Sequence, residues 1–108
     1  MIPMDDMIYT QWFRLKIEYP DHLVLMRLGD FVETFDEDAQ AIAKIFDLIL
    51  RKTNGHPMAG FPYAAAEKYF EQLVEQGRKL AFAEQVIPPV VPKSARVKRL
   101  VTQSSLFD

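Results

Sequence analysis

The stretch Leu23 to Phe35, LVLMRLGDFVETF, restricts what this chain can fold into more than any other. Two apolar runs flank Gly29-Asp30, and glycine at the first central position of a two-residue loop is what a type II′ hairpin turn requires. With Gly29 and Asp30 as the turn residues, Leu28 lies opposite Phe31, Arg27 opposite Val32 and Met26 opposite Glu33. Side chains alternate along a strand, so Phe31, Glu33 and Phe35 share a face with Val24, Met26 and Leu28. That face is apolar except for one carboxylate. An unpaired buried charge is costly, so Glu33 either reaches the rim of the sheet or has a function.

Around this hairpin the chain alternates helical and extended patterns. Pro3 to Tyr19 reads as a helix: Asp5 and Asp6 favour its positive end, Ile8, Trp12, Leu15 and Tyr19 recur at helical spacing, and Pro20 stops it. Trp12, on that stripe, is a core residue. A second helix is expected over Asp36 to Leu48, with Ala39, Ile42, Ile45, Phe46 and Ile49 on one face. Asp36, Glu37 and Asp38 are read as its cap and first-turn acids. Three adjacent acids on a helix point in different directions, which argues against a metal site.

Ile49 to Thr53 predicts a strand, followed by an Asn54-Gly55 turn, a loop through Pro57 and a short irregular segment, Met58 to Tyr63. Ala64 to Gln76 predicts a third helix with Ala66, Tyr69, Phe70, Leu73 and Val74 as its stripe and Gly77 as its stop. Lys79 to Val86 alternates as a strand. Ile87 to Pro92 (IPPVVP) is a rigid connector, and Arg96 to Thr102 returns as a last strand at a sheet edge. The fold class is α/β or α+β, one domain with a mixed sheet and about three helices.

At 108 residues the chain holds one core and has no room for a second catalytic module. It contains no cysteine, which excludes disulfides and thiolate metal sites and fits a reducing cytoplasm. No signal peptide or membrane span is visible. His22 and His56 lie in no metal-ligand spacing, and phosphate-loop, nucleophile-elbow and dinucleotide fingerprints are missing. Neither an enzyme nor a bound cofactor or metal is expected. Net charge is −2, and acids outnumber bases three to one from Asp5 to Asp38. Phosphate neutralisation supplies most nucleic-acid affinity, so any such binding has to come from local groups. Lys93, Arg96, Lys98 and Arg99 cluster near the carboxyl end, read first as a solvated face and second as a local basic patch.

Three segments, in order, resemble one family. GDFVETF is similar to the GDFYE motif of the MutS DNA mismatch-recognition family, in its amino-terminal mismatch-binding domain. Pro57 to Val86 (PMAGFPYAAAEKYFEQLVEQGRKLAFAEQV) resembles the family's PMAG-PYHA…Y…LV–G–VAICEQ stretch, and Arg96 to Thr102 resembles its closing strand. Val32 stands where the family motif has Tyr, and Ala64 where it has His. The resemblance implies that Phe31 wedges into the minor groove and stacks on a mispaired base, while Glu33 hydrogen-bonds to that base. Residues i and i+2 on a strand project to one side about 7 Å apart, which suits the pair. Unstacking costs a few kcal/mol and is cheaper at a mismatch. The resemblance also implies that ATP hydrolysis belongs to a separate carboxy-terminal domain.

After residues 1–102, the last residues, 103–108, read as a flexible tail. Gln103-Ser104-Ser105-Leu106-Phe107 resembles the bacterial sliding-clamp-binding peptide, Gln-Leu-Ser/Asp-Leu-Phe, with Ser104 replacing Leu. Gln103, Leu106 and Phe107 would be the partner-binding residues, a few anchors on a mobile peptide. The bland alternative is a tail that folds back on the domain. Two functions are therefore carried forward. One is a stand-alone domain that reads mismatched or distorted duplex DNA; the rival is a protein-interaction module that kept the fold and lost DNA contact. A start at Met and a finished-looking tail favour a complete small protein over a cut-out of a longer one.

Overall fold

The computed structural model describes residues 4–84 and 96–102. Helix α1 (Met4–Glu18) leads into the hairpin β1 (Leu23–Leu28) and β2 (Phe31–Phe35), and α2 (Asp36–Phe46) follows directly. Strands β3 (Arg51–Thr53) and β4 (His56–Pro62) come next, then a 3-10 turn, α3 (Ala66–Glu75), β5 (Leu80–Glu84) and β6 (Arg96–Val101). The six strands form one sheet in the order β3-β4-β2-β1-β5-β6, with β1 and β5 parallel and every other pair antiparallel. The mixed α/β architecture matches the sequence reading, and so does the placing of β6 at an edge.

The hairpin has the expected register: Leu28 faces Phe31, Arg27 faces Val32 and Met26 faces Glu33. Gly29 has φ 63 while Asp30 is not among the positive-φ residues, the sign pattern of a II′ turn. Strand β1 lies inside the sheet and is buried on both sides, so LVLM reads as a continuous apolar run. One face carries α1, with Trp12 and Leu15 packed on Val24, Met26, Phe35, Ala81 and Ala83. The other carries α2 and α3, whose Ala39, Ile42, Ala66, Phe70, Leu73 and Val74 meet Leu23, Leu25, Val32, Phe61, Leu80 and Phe82. Trp12 is core, as expected: it is 2% exposed, and its Nε1 donates to the Val24 carbonyl at 2.7 Å.

Two expectations need correction. The loop through Pro57 and the irregular Met58 to Tyr63 are strand β4, which pairs with β2 from Phe31↔Pro62 to Phe35↔Met58. Proline argues against a central strand because it cannot donate to the ladder. Here Pro57 lies beyond the last residue of β2 and Pro62 closes the opposite end, so both prolines sit at the ends of the β2–β4 ladder, and Pro57 pairs only with Lys52 of the short edge strand β3. Asp36, Glu37 and Asp38 lie in the first turn of α2 as expected, and the second correction concerns only the cap. No side chain caps that helix, whose N-cap position is Phe35. Asp36 takes φ 51 and accepts from Tyr9 Oη at 2.5 Å, while Asp38 is buried and accepts from the Val24 N–H and from Lys16, both at 3.0 Å. Asp36 and Asp38 tie the start of α2 to α1 and to β1.

Candidate functional site

The hairpin tip is braced from one side. Arg27 Nε donates to the Gly29 carbonyl at 2.9 Å, and its guanidinium lies 3.7 Å from the centre of the Tyr63 ring and 3.0 Å from Glu84. The Tyr63 N–H donates to the Asp30 carbonyl at 2.8 Å, which ties the turn to the end of β4. A short turn held by these contacts presents the first residue of β2 in a fixed direction. That residue is Phe31, which is 51% exposed.

Glu33, two residues on and on the same face, sits deeper at 6% exposed. Burial pushes its carboxyl above the usual range, and Arg51 pulls it part of the way back. One guanidinium nitrogen, Arg51 Nη2, serves both oxygens, at 3.1 Å to Oε1 and 3.0 Å to Oε2. A two-nitrogen fork would hold the acid more firmly. The Arg51 side chain is 54% exposed, so only the acid end of the pair is desolvated.

Gly60 makes room for the carboxylate. It faces Glu33 across the β2–β4 ladder, and a Cβ there would collide with Glu33 Oε2 and with the Val32 carbonyl oxygen. Phe31, Glu33, Gly60 and Arg51, with Asp47, Leu48 and Ile49, line a groove of about 400 Å³. Ile49, which lines the groove, is exposed, as is its neighbour Leu50. Ile49 falls outside α2, whose C-cap Asp47 takes the left-handed conformation, instead of joining the buried stripe.

The structure thus brings Phe31 and Glu33 to one groove. Sequence reasoning missed Arg51 and Gly60. The pattern PMAG was visible, but while His56–Pro62 is read as a loop, nothing places Gly60 opposite Glu33 or Arg51 within reach of it. Gln103, Leu106 and Phe107 lie outside the described residues, as does the Ile87 to Pro92 connector. Of the basic cluster, Arg99 is paired with Glu67 and lies over the Phe70 ring. Among the described residues no group of three His, Cys, Asp or Glu side chains converges as a metal site would require. No helix of the described residues is long and apolar enough to cross a membrane.

Fold and groove define a small mixed-sheet domain built around one presented hairpin. The chain belongs to the MutS domain I family, whose model matches residues 7–108. It is similar to the DNA mismatch repair protein MutS of Petrotoga mobilis, 42% identical over 91% of this chain and 12% of that protein. It is also similar to the MutS proteins of Chlorobium limicola, 45% identical over 85% of this chain and 11% of the relative, and of Leuconostoc citreum, 45% identical over 92% and 12%. The chain therefore spans only a small fraction, 11–12%, of the length of these relatives.

Proposed function

We propose that this domain recognises mispaired or deformed duplex DNA, with Phe31 as the wedge and Glu33 as the group that accepts a hydrogen bond from a base edge. It performs no chemistry on the DNA. The observation that carries the reading is the half-exposed Phe31 ring at a braced tip, on the same face as a carboxylate. Family membership and relatives named for mismatch repair support it. An aromatic ring in water gains by stacking in an opened base step, and a mispaired step costs less to open. A carboxylate near phosphates is repelled unless a base N–H faces it, which favours bases whose donors are not fully engaged in Watson–Crick pairing.

The test is a titration of a short G·T heteroduplex and its homoduplex at low ionic strength, with wild type and Phe31→Ala. Wild type should prefer the heteroduplex, and Phe31→Ala should lose that preference by about tenfold or more, the scale of one lost base–aromatic stack. Equal affinity of wild type for both duplexes would overturn the reading. It would favour the rival, an interaction module without DNA contact, to which the net charge of −2 and the pairing of Glu33 with Arg51 both lend weight.

Weak intrinsic affinity calls for delivery, and we assign that role to the tail. Gln103, Leu106 and Phe107 bind the bacterial sliding clamp in this reading, raising the local concentration of the wedge at newly made DNA. Its support is the likeness of QSSLF to clamp-binding peptides. A pull-down with the clamp should retain wild type and lose Leu106→Ala/Phe107→Ala; equal retention of both ends the idea.

A further inference from the structure

We propose that Arg51 is a third DNA-contacting residue, which caps Glu33 in the free protein and transfers to a backbone phosphate when a mismatch is engaged; this rests on the wedge reading above. Three observations carry it. First, the cap is built to release. Only Nη2 contacts the carboxylate, and Arg51 Nη1 and Nε make no hydrogen bond among the described residues. Second, Arg51 is half exposed on the wall of the groove that Phe31 also lines, so a duplex seated on the ring brings its phosphates to the free donors. Third, the acid cannot be left alone. At 6% exposure, and further dried by the duplex, Glu33 without a donor would be an unpaired buried charge.

The exchange therefore has a condition. Arg51 leaves only where a base supplies a replacement N–H, and the guanidinium that leaves meets a phosphate, with which planar multi-donor pairing is strong. A Watson–Crick pair has its donors committed, so on homoduplex the cap stays closed and Arg51 adds no phosphate contact. Arg51 thus couples reading of the base to grip on the backbone, and it does so with no change of fold.

Salt dependence reads the exchange directly, because each phosphate neutralised adds about 0.9 to the slope of log K against log salt. With heteroduplex, Arg51→Gln should lower the magnitude of that slope by about 0.9, while Arg51→Lys should retain most of it. With homoduplex, Arg51→Gln should leave the slope unchanged. An unchanged heteroduplex slope, or an equal loss on both duplexes, would overturn the exchange, the latter because Arg51 would then be an ordinary surface cation. A second measurement needs no variant: the Glu33 side-chain carboxyl carbon resonance of wild type should move on adding heteroduplex and stay in place on adding homoduplex. The same position with both would overturn the proposal. If the wedge reading itself were wrong, wild type would not discriminate the duplexes and Phe31→Ala would change nothing. Discrimination lost in Phe31→Ala together with an unaltered slope in Arg51→Gln would sink this inference alone.

Discussion

Gly60 shows how a residue without a side chain can govern one with a charge. Its place opposite Glu33 lets the carboxylate lie flat over the strand, where any Cβ would strike Oε2 and the Val32 carbonyl oxygen. Gly60→Ala should therefore destabilise the domain by about 1–3 kcal/mol, the usual range for overpacking, read as a lower urea midpoint. Unaltered stability would mean that β4 can shift freely at this point. The acids themselves make a prediction with a defined sign. Burial raises Glu33 and, more than its bonds from the Val24 N–H and Lys16 offset, Asp38. A carboxyl with a raised folded-state value keeps its proton where the unfolded chain has lost it. Its contribution to stability is full below the ordinary value and is lost as pH rises through the raised one. Unfolding of wild type and of Glu33→Gln, compared from about pH 4 to about pH 7, should show the stability of wild type falling relative to the variant as pH rises. A relative gain for wild type with rising pH would reverse the sign and make the Arg51 pair dominant over desolvation.

Between elements, polar side chains at a few junctions decide how the pieces lock. Tyr9 on α1 donates to Asp36 where β2 turns into α2, stacks at 3.6 Å on His56 of β4 and meets the edge of Phe35. Burial and the Asp36 carboxylate push its phenol up to about 12. In an ultraviolet alkaline titration of the four tyrosines, Tyr9 should ionise late, and Tyr9→Phe should remove that late phase while lowering stability by about 1 kcal/mol for the lost hydrogen bond. Disappearance of an early phase instead would contradict the buried contact. This scale also shows what the sequence could disclose. The hairpin was legible to the residue because a two-residue Gly-Asp loop leaves one register, and alternation then puts Phe31 and Glu33 on one face. The helices were legible from their apolar stripes, with ends shifted by a residue or two. Strand β4 was not, because Pro57, Gly60 and Pro62 are breakers in any local reading. Only the ends of β2 make the prolines harmless, and only the Glu33 carboxylate makes the glycine necessary. Arg51 was hidden for the same reason: its partner is fixed by the β3–β4–β2 order, a long-range fact that no local pattern encodes. The acids of α2 misled differently, since their composition suits a helix start while Tyr9, Lys16 and the Val24 N–H claim two of them.

As a whole the molecule has little free positive charge with which to attract a polyanion. Its net charge is −2, and of its cations Lys16, Arg27, Arg51 and Arg99 are already paired with Asp38, Glu84, Glu33 and Glu67. Binding to perfect duplex should be weak at low salt and vanish by physiological ionic strength, as expected when few phosphates are neutralised. Fluorescence anisotropy with a labelled homoduplex checks this, and tight binding at physiological salt would contradict it. In the proposed reading, the same economy of charge leaves discrimination to the tip, where a ring and an acid would act without a strong background field.

The sole tryptophan of the chain is Trp12, enclosed in the α1 layer with its indole N–H on Val24 and Thr34. Its emission should accordingly be blue-shifted in the native protein and move to the red only when that layer comes apart. The domain thus carries an intrinsic gauge of its own integrity, placed in the α1 layer and not among the residues that line the groove. A titration that leaves this signal constant certifies that any change seen at Phe31 or Arg51 belongs to the ligand and not to melting.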